Sequence, residues 1–189
     1  MSGYWYLATS YSRNPVGLLR AYKMALEATV GLMKAGHHVY SPIVHNHPVE
    51  TAWGADPLDH AGWMAFDAPL MAGASGLLVL MAGEWERSKG VGLEIKAFHD
   101  AGKPIFFLEP GKPPLVFIPA PLRTFLYRNH RGIVSERHVY VSGMRQGKSE
   151  FYQDEQWLVG GFDLDRMDFR EFSSAIIEEM NGSDIDEAA

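Results

Sequence analysis

Gly76-Leu77-Leu78-Val79-Leu80-Met81-Ala82 is the longest apolar run in the chain. It is the length of a buried strand, and its unbroken apolar character predicts burial on both faces, as in a parallel sheet. Working outward, Gly83 to Lys89 reads as a polar loop and Gly90 to Ala101 as a helix. Gly102-Lys103-Pro104 closes that helix, and Ile105 to Leu108 follows as a strand. On the other side, Asp59 to Met71 reads as a helix bent or shortened by Pro69. Residues 44–58 read as a long loop, a length that inside compact domains is usually functional or mobile. His37 to Ile43 is a predicted strand closed by Ser41-Pro42. Asn14-Pro15 starts a helix carried by Leu19, Tyr22, Leu26, Val30 and Met33 at helical spacing, and Gly36 ends it. Tyr4 to Ala8 is the first strand, followed by the polar loop Thr9 to Arg13. Strands alternating with helices over residues 1–110 predict an α/β core, doubly wound and Rossmann-like, on a mostly parallel sheet. Ligands of such sheets gather beyond the carboxyl ends of the strands, where the loops after the first three strands converge.

After Glu109 the texture changes, and residues 111–189 read as a C-terminal α+β extension packed on the core. Pro110-Gly-Lys-Pro-Pro114 and Pro119-Ala-Pro121 interrupt the pattern, and Arg123, Arg128, Arg131, Arg137, Arg145 and Lys148 make the next stretch basic. His138 to Val141 alternates like an antiparallel edge strand. Asp168 to Met180 reads as a helix with Phe169, Phe172 and Ile176 on one face, stopped by Asn181-Gly182.

A chain of 189 residues, 47% apolar and 21% charged, has the composition of an ordinary globular protein rather than a disordered one. No apolar run approaches the roughly 18 residues of a membrane span, so no membrane partner is expected. The first residues lack the basic region of a signal peptide. With no Cys there are no disulfides, thiolate metal sites or thiol nucleophiles, which fits a cytoplasmic setting. A net charge of −6 argues against bulk nucleic-acid binding and favours a small ligand.

Ser88-Lys89-Gly90-Val91-Gly92-Leu93-Glu94 carries the most chemistry. Glycines at a helix entry let backbone approach a ligand, and exposed N–H groups there favour anions. Ser88 adds a hydroxyl. Glu94 sits about one turn in, where the helix's positive end is expected to hold it ionised, as a nucleophile or an electrostatic stabiliser. The same pattern also serves as a plain strand-to-helix turn.

Together with Lys96-Ala97 and Gly102-Lys103-Pro104, this stretch resembles the signature of the nucleoside 2-deoxyribosyltransferase superfamily. It is closest to the branch of 2'-deoxynucleoside 5'-phosphate N-hydrolases. The resemblance covers roughly residues 4–108. It implies that Glu94 is the catalytic acid residue and that Ser88 contacts a substrate phosphate; base-exchanging members usually carry Asp at the position of Ser88. Tyr6-Leu7-Ala8-Thr9-Ser10 resembles the family's first strand and loop, which implies that Tyr6 hydrogen-bonds Glu94 and that Ser10 helps bind phosphate. Asp67, in Trp63-Met-Ala-Phe-Asp67, matches the Asp that contacts the leaving base or gives it a proton. The implied activity is hydrolysis of the base–sugar bond of a (deoxy)nucleoside 5'-monophosphate, without cofactor or metal, by a homodimer or higher homo-oligomer. Base exchange and non-catalytic nucleotide binding are the alternatives.

From the residues themselves, Tyr6 also reads as core and Asp67 as a solvent-facing helix residue. Gly90 and Gly92 would bring backbone to the phosphate, and Arg13 would add a charge. His45 and His47 invite a metal reading, but no third ligand lies at a convincing spacing. Trp53, Trp63 and Trp85 read equally as base-stacking, core or interface residues. Asp56, Asp59 and His60 could assist from the loop.

Overall fold

The computed structural model describes residues 3–12, 17–111, 117–129, 131–149, 151 and 153–173. The chain divides into two compact units, Met1–Pro119 and Ala120–Ala189.

In the first unit the elements are β1 (Trp5–Ala8), α1 (Leu18–Lys34), β2 (Val39–Tyr40), α2 (Pro42–Trp53), α3 (His60–Gly73), β3 (Gly76–Leu80), a 3-10 turn (Trp85–Arg87), α4 (Lys89–Asp100), β4 (Ile105–Leu108) and β5 (Phe117–Pro119). The unit is mixed α/β. Its sheet has the order β2-β1-β3-β4-β5, parallel except for β5, which runs antiparallel to β4. β3 is buried along its whole length, as its apolar run requires. Leu7, Leu32, Leu78, Leu80 and Leu108 form a core cluster, with Trp5, Phe106 and Phe117 packed on it. Gly76 opens β3 because a Cβ there would meet Trp5 Cζ3 at 2.5 Å and the Pro104 carbonyl oxygen at 2.7 Å.

The largest departure from the sequence reading is residues 44–58. Most of that span is α2, not loop. Ser41 caps the helix, its Oγ accepting from Val44 N–H at 3.4 Å. Pro42 sits at the first helical position, where a missing N–H costs nothing. Gly54 ends it in the left-handed conformation, at φ 74°. Consequently β2 shrinks to two residues, because Ser41-Pro42 starts a helix where the predicted strand continued. α3 begins at an Asp59 cap and runs through Pro69.

The second unit, over its described residues, is an antiparallel meander, β6 (Leu122–Arg128), β7 (Val134–Gly147), β8 (Gln156–Asp163) and β9 (Asp168–Ser173), in the order β6-β7-β8-β9. Phe125, Val139 and Phe172 form its core. Two expectations fail here. β7 is an inner strand of 14 residues with a bulge between Val141 and Gly143, not a short edge. Residues 168–173 are a strand rather than the start of a helix, because β8 offers a ladder partner for each residue from Asp168 to Ser173. Residues 174–180 of the expected helix lie outside the described residues, so no helix is seen in this unit among those described. A buried ion pair, Arg137 Nε to Asp163 Oδ2 at 3.7 Å, joins β7 to β8.

Candidate functional site

The parallel strands end at one edge, and their order changes direction between β1 and β3, the switch point where open α/β sheets place ligands. A cleft opens at that edge. It is lined by the segment after β1, by α2, by α3 and by the start of α4.

α4 supplies Ser88, Gly90, Val91 and Glu94 to the cleft. Ser88 is the N-cap, its Oγ accepting from Val91 N–H at 3.4 Å. That bond uses an oxygen lone pair and leaves the hydroxyl proton free to be donated. A Cβ on Gly90 would meet nothing nearer than Ser88 Oγ at 3.9 Å. Protein packing therefore does not demand glycine at 90; its bare backbone keeps the helix entry open to a ligand. Gly92 is buried on the same helix and is not part of the cleft lining.

Glu94 is 7% exposed and lines the cleft. Tyr6, fully buried on β1, donates its hydroxyl to Glu94 Oε1 at 2.9 Å. The structure thus brings together the two residues the sequence paired. The charge state differs from expectation. Burial pushes the Glu94 carboxyl up to about 8; the Tyr6 hydrogen bond pulls it down, and the neighbouring Asp67 raises it further. Desolvation works against the helix's positive end, so the Glu94 carboxyl holds its proton more firmly than an ordinary glutamate. The Tyr6 hydroxyl is itself pushed far up, chiefly by burial and then by the charge of Glu94. It remains a donor throughout.

Asp67 enters from α3 and is buried, not solvent-facing. It accepts from the Tyr40 hydroxyl at 3.0 Å and from Asn46 Nδ2 at 3.2 Å. Burial raises its carboxyl, while the bonds from Tyr40 and Asn46 and the proximity of His45 pull it down. Tyr40 and Asn46 were invisible as site residues in the sequence, because β2 and α2 had to be in place before they could meet Asp67.

The loop after β1 contributes Thr9, Tyr11 and Ser12. Thr9 Oγ1 and Ser10 Oγ are buried without a hydrogen-bond partner. Thr9 lines the cleft, whereas Ser10, 1% exposed, does not. The Thr9 hydroxyl, orphaned at the cleft, is the kind of donor a ligand oxygen would satisfy. Arg13 lies outside the described residues. His60 and Trp63 line the cleft. Trp53 is 76% exposed and Trp85 is buried against Phe107, and neither reaches it. Among the described residues no group of three or more His, Asp or Glu side chains is arranged to hold a metal. No helix among them is long and apolar enough to cross a membrane.

No curated protein and no solved structure matches the chain. One family model does, over residues 3–110, a span that takes in every element lining the cleft. By that match the chain belongs to the family described as a domain of unknown function, DUF1937.

Proposed function

We propose that the protein is an N-glycosidase that hydrolyses the base–sugar bond of a (deoxy)nucleoside 5'-monophosphate. The observation that carries this reading is the Tyr6–Glu94 hydrogen bond, with Glu94 and Asp67 lining one cleft at the entry to α4. The strand order, with its reversal at β1 and β3, supports a doubly wound, Rossmann-like core around that cleft. The resemblance of residues 88–94 to the deoxynucleotide N-hydrolases supports the substrate class.

In this reading the 5'-phosphate meets the Ser88 hydroxyl, the N–H groups of the α4 entry and the orphan Thr9 hydroxyl. Its binding energy holds C1' against Glu94. The Glu94 carboxylate forms a bond to C1' as the C1'–N bond breaks and its electron pair leaves with the base. Asp67 gives its proton to the departing base. Water then attacks C1', the bond to Glu94 breaks, and Asp67 takes the proton the water loses. The first step needs Glu94 ionised and Asp67 protonated. Burial, which raises both carboxyls, keeps a proton available at the pair. Tyr6 fixes the rotamer of Glu94 and bears on its charge. The reading carries with it a homodimer working in the cytoplasm.

The test is release of free base from a panel of ribo- and deoxyribonucleoside 5'-monophosphates. Release from at least one is expected, and Glu94→Ala is expected to abolish turnover while binding persists. No release from any of them by folded protein overturns the assignment.

One observation favours a second reading. The described cleft lining holds three carboxylates, Glu50, Asp67 and Glu94, and no Lys or Arg. Such a wall suits an uncharged nucleoside better than a phosphate dianion, and hence the base exchange of a nucleoside 2-deoxyribosyltransferase. Free nucleosides, supplied with and without a second base, separate the two.

A further inference from the structure

The α2 wall of the cleft carries a cluster that the proposed glycosyl chemistry does not use. Tyr11, His47 and Glu50 all line the cleft. Tyr11 donates its hydroxyl to Glu50 Oε1. His47 Nδ1 lies 3.1 Å from the same oxygen and 2.6 Å from the Tyr11 hydroxyl. The His47 ring is stacked on Tyr22 of α1, with centroids 4.5 Å apart. Glu50 and His47 stand one turn apart on α2, so the helix itself sets their spacing.

Counting protons decides what the cluster offers. The one hydroxyl proton of Tyr11 goes to Oε1, and His47 Nδ1 stands within hydrogen-bond distance of the same oxygen. Oε1 is therefore satisfied, and no described residue donates to Oε2. Glu50 is 7% exposed and lines the cleft, so what access Oε2 has is by way of the cleft, where a ligand would take the place of solvent. An ionised carboxylate only accepts. We propose that Glu50, held in place by Tyr11 and His47, is a specificity residue whose Oε2 accepts a hydrogen bond from an N–H or O–H group on the ligand. This deepens the reading above and rests on it. The phosphate is turned toward α4, because an anion facing Glu50 would be repelled. The part of the nucleotide facing α2 must carry a donor, either an exocyclic amine of the base or the 2'-hydroxyl of the sugar.

The experiment measures binding by calorimetry to full-length protein, with three probes. Adenosine 5'-monophosphate carries both donors, purine riboside 5'-monophosphate lacks the amine, and deoxyadenosine 5'-monophosphate lacks the 2'-hydroxyl. In the wild type, loss of the donor that faces Glu50 should weaken binding about 10- to 100-fold, since its partner is charged. Loss of the other donor should change little, and this assigns the source. Glu50→Gln, close in shape but uncharged, should shrink that discrimination towards unity. Tyr11→Phe should reduce it in part, through loss of positioning, which a merely structural role would not do selectively. Thermal melts confirm that each variant is folded; if Glu50→Gln is not, Tyr11→Phe and His47→Gln carry the comparison. Equal affinity for all three probes, or discrimination unchanged in the variants, overturns the role of Glu50 and leaves the glycosidase reading standing if base is still released. Binding of none of the probes, together with no base release, overturns both.

Discussion

At the scale of single residues, the Glu94 carboxyl carries a heavy cost of burial. Its ordinary value near 4.5 rises to about 8 on folding, chiefly by burial. Between those two values the folded protein holds a proton that the unfolded chain has released. Stability contributed by that proton is complete below about 4.5 and is lost as pH rises to about 8. Glu94→Gln removes the titration while keeping an acceptor for Tyr6. Its unfolding free energy should match wild type near pH 4 and exceed it increasingly up to pH 8, by as much as about 3 kcal/mol at pH 7. Melts across that range check it, and a difference that does not depend on pH would refute it. Tyr6→Phe acts in the opposite sense on charge. The Tyr6 hydrogen bond pulls Glu94 down, so its loss should push the carboxyl higher. Because the reaction needs one proton on the pair, resting on Asp67, base release should fall as pH rises through about 8 in wild type. In Tyr6→Phe that falling limb should move upward, while activity below it drops roughly tenfold for each pH unit of movement, because the proton then rests more firmly on Glu94. A pH–rate profile of both proteins decides.

At the scale of elements, α2 carries the site residues that the sequence did not reveal, and its ends hold it. Ser41→Ala removes the cap and Gly54→Ala puts a Cβ into a left-handed residue; each should cost about 1 kcal/mol in urea unfolding. Both should weaken ligand binding, because Asn46, His47 and Glu50 ride on this helix. The sequence signals for α2 were present at its ends, Ser41-Pro42 and Gly54, but its interior is His-Asn-His-Pro, without an apolar stripe and with Pro48 in the middle. Periodicity fails for a helix whose inward face is polar because it faces a cleft. β3, β4 and α4 were legible for the complementary reason: a run of Leu and Val buried on both sides, and a capped glycine turn, leave few alternatives. β9 misled because Phe169 and Phe172 fit a helical face as well as a strand. In the sheet they point to opposite sides, Phe169 beside Phe162 and Phe172 against Phe125. Only the partner strand decides between the two. The same sheet hides the Arg137–Asp163 pair, in which Asp163 is fully buried and Arg137 6% exposed. Arg137→Met leaves that carboxylate without its counter-charge and should cost roughly 3 to 5 kcal/mol in denaturant unfolding. A loss under 1 kcal/mol would mean that the carboxyl is already neutral there.

At the scale of the whole molecule, the cleft belongs entirely to the first unit: every residue lining it falls between Thr9 and Glu94. The boundary of that unit is at Pro119, beyond the last residue matched by the family model, because β5 completes the sheet. Phe117 on β5 packs edge-on against Trp5 at 5.6 Å between ring centroids and lies 5.9 Å from Phe106. Its neighbour Ile118 pairs with Phe107 in the antiparallel ladder. Cutting the chain at residue 110 therefore leaves β4 as a bare edge with Trp5 and Phe106 uncovered, an arrangement that invites pairing between copies. A fragment of residues 1–119 should unfold cooperatively and bind the same ligands as the full chain, with affinity within about threefold, since no lining residue has been removed. A fragment of residues 1–110 should be less stable by a few kcal/mol for the lost aromatic contacts and ladder bonds, and should aggregate first. Chemical denaturation and light scattering on the two fragments, side by side, test this. If 1–119 is folded yet fails to bind a ligand that the full chain binds, the second unit contributes to the site; if the two fragments are equally stable, β5 is an ornament of the sheet rather than its closing strand.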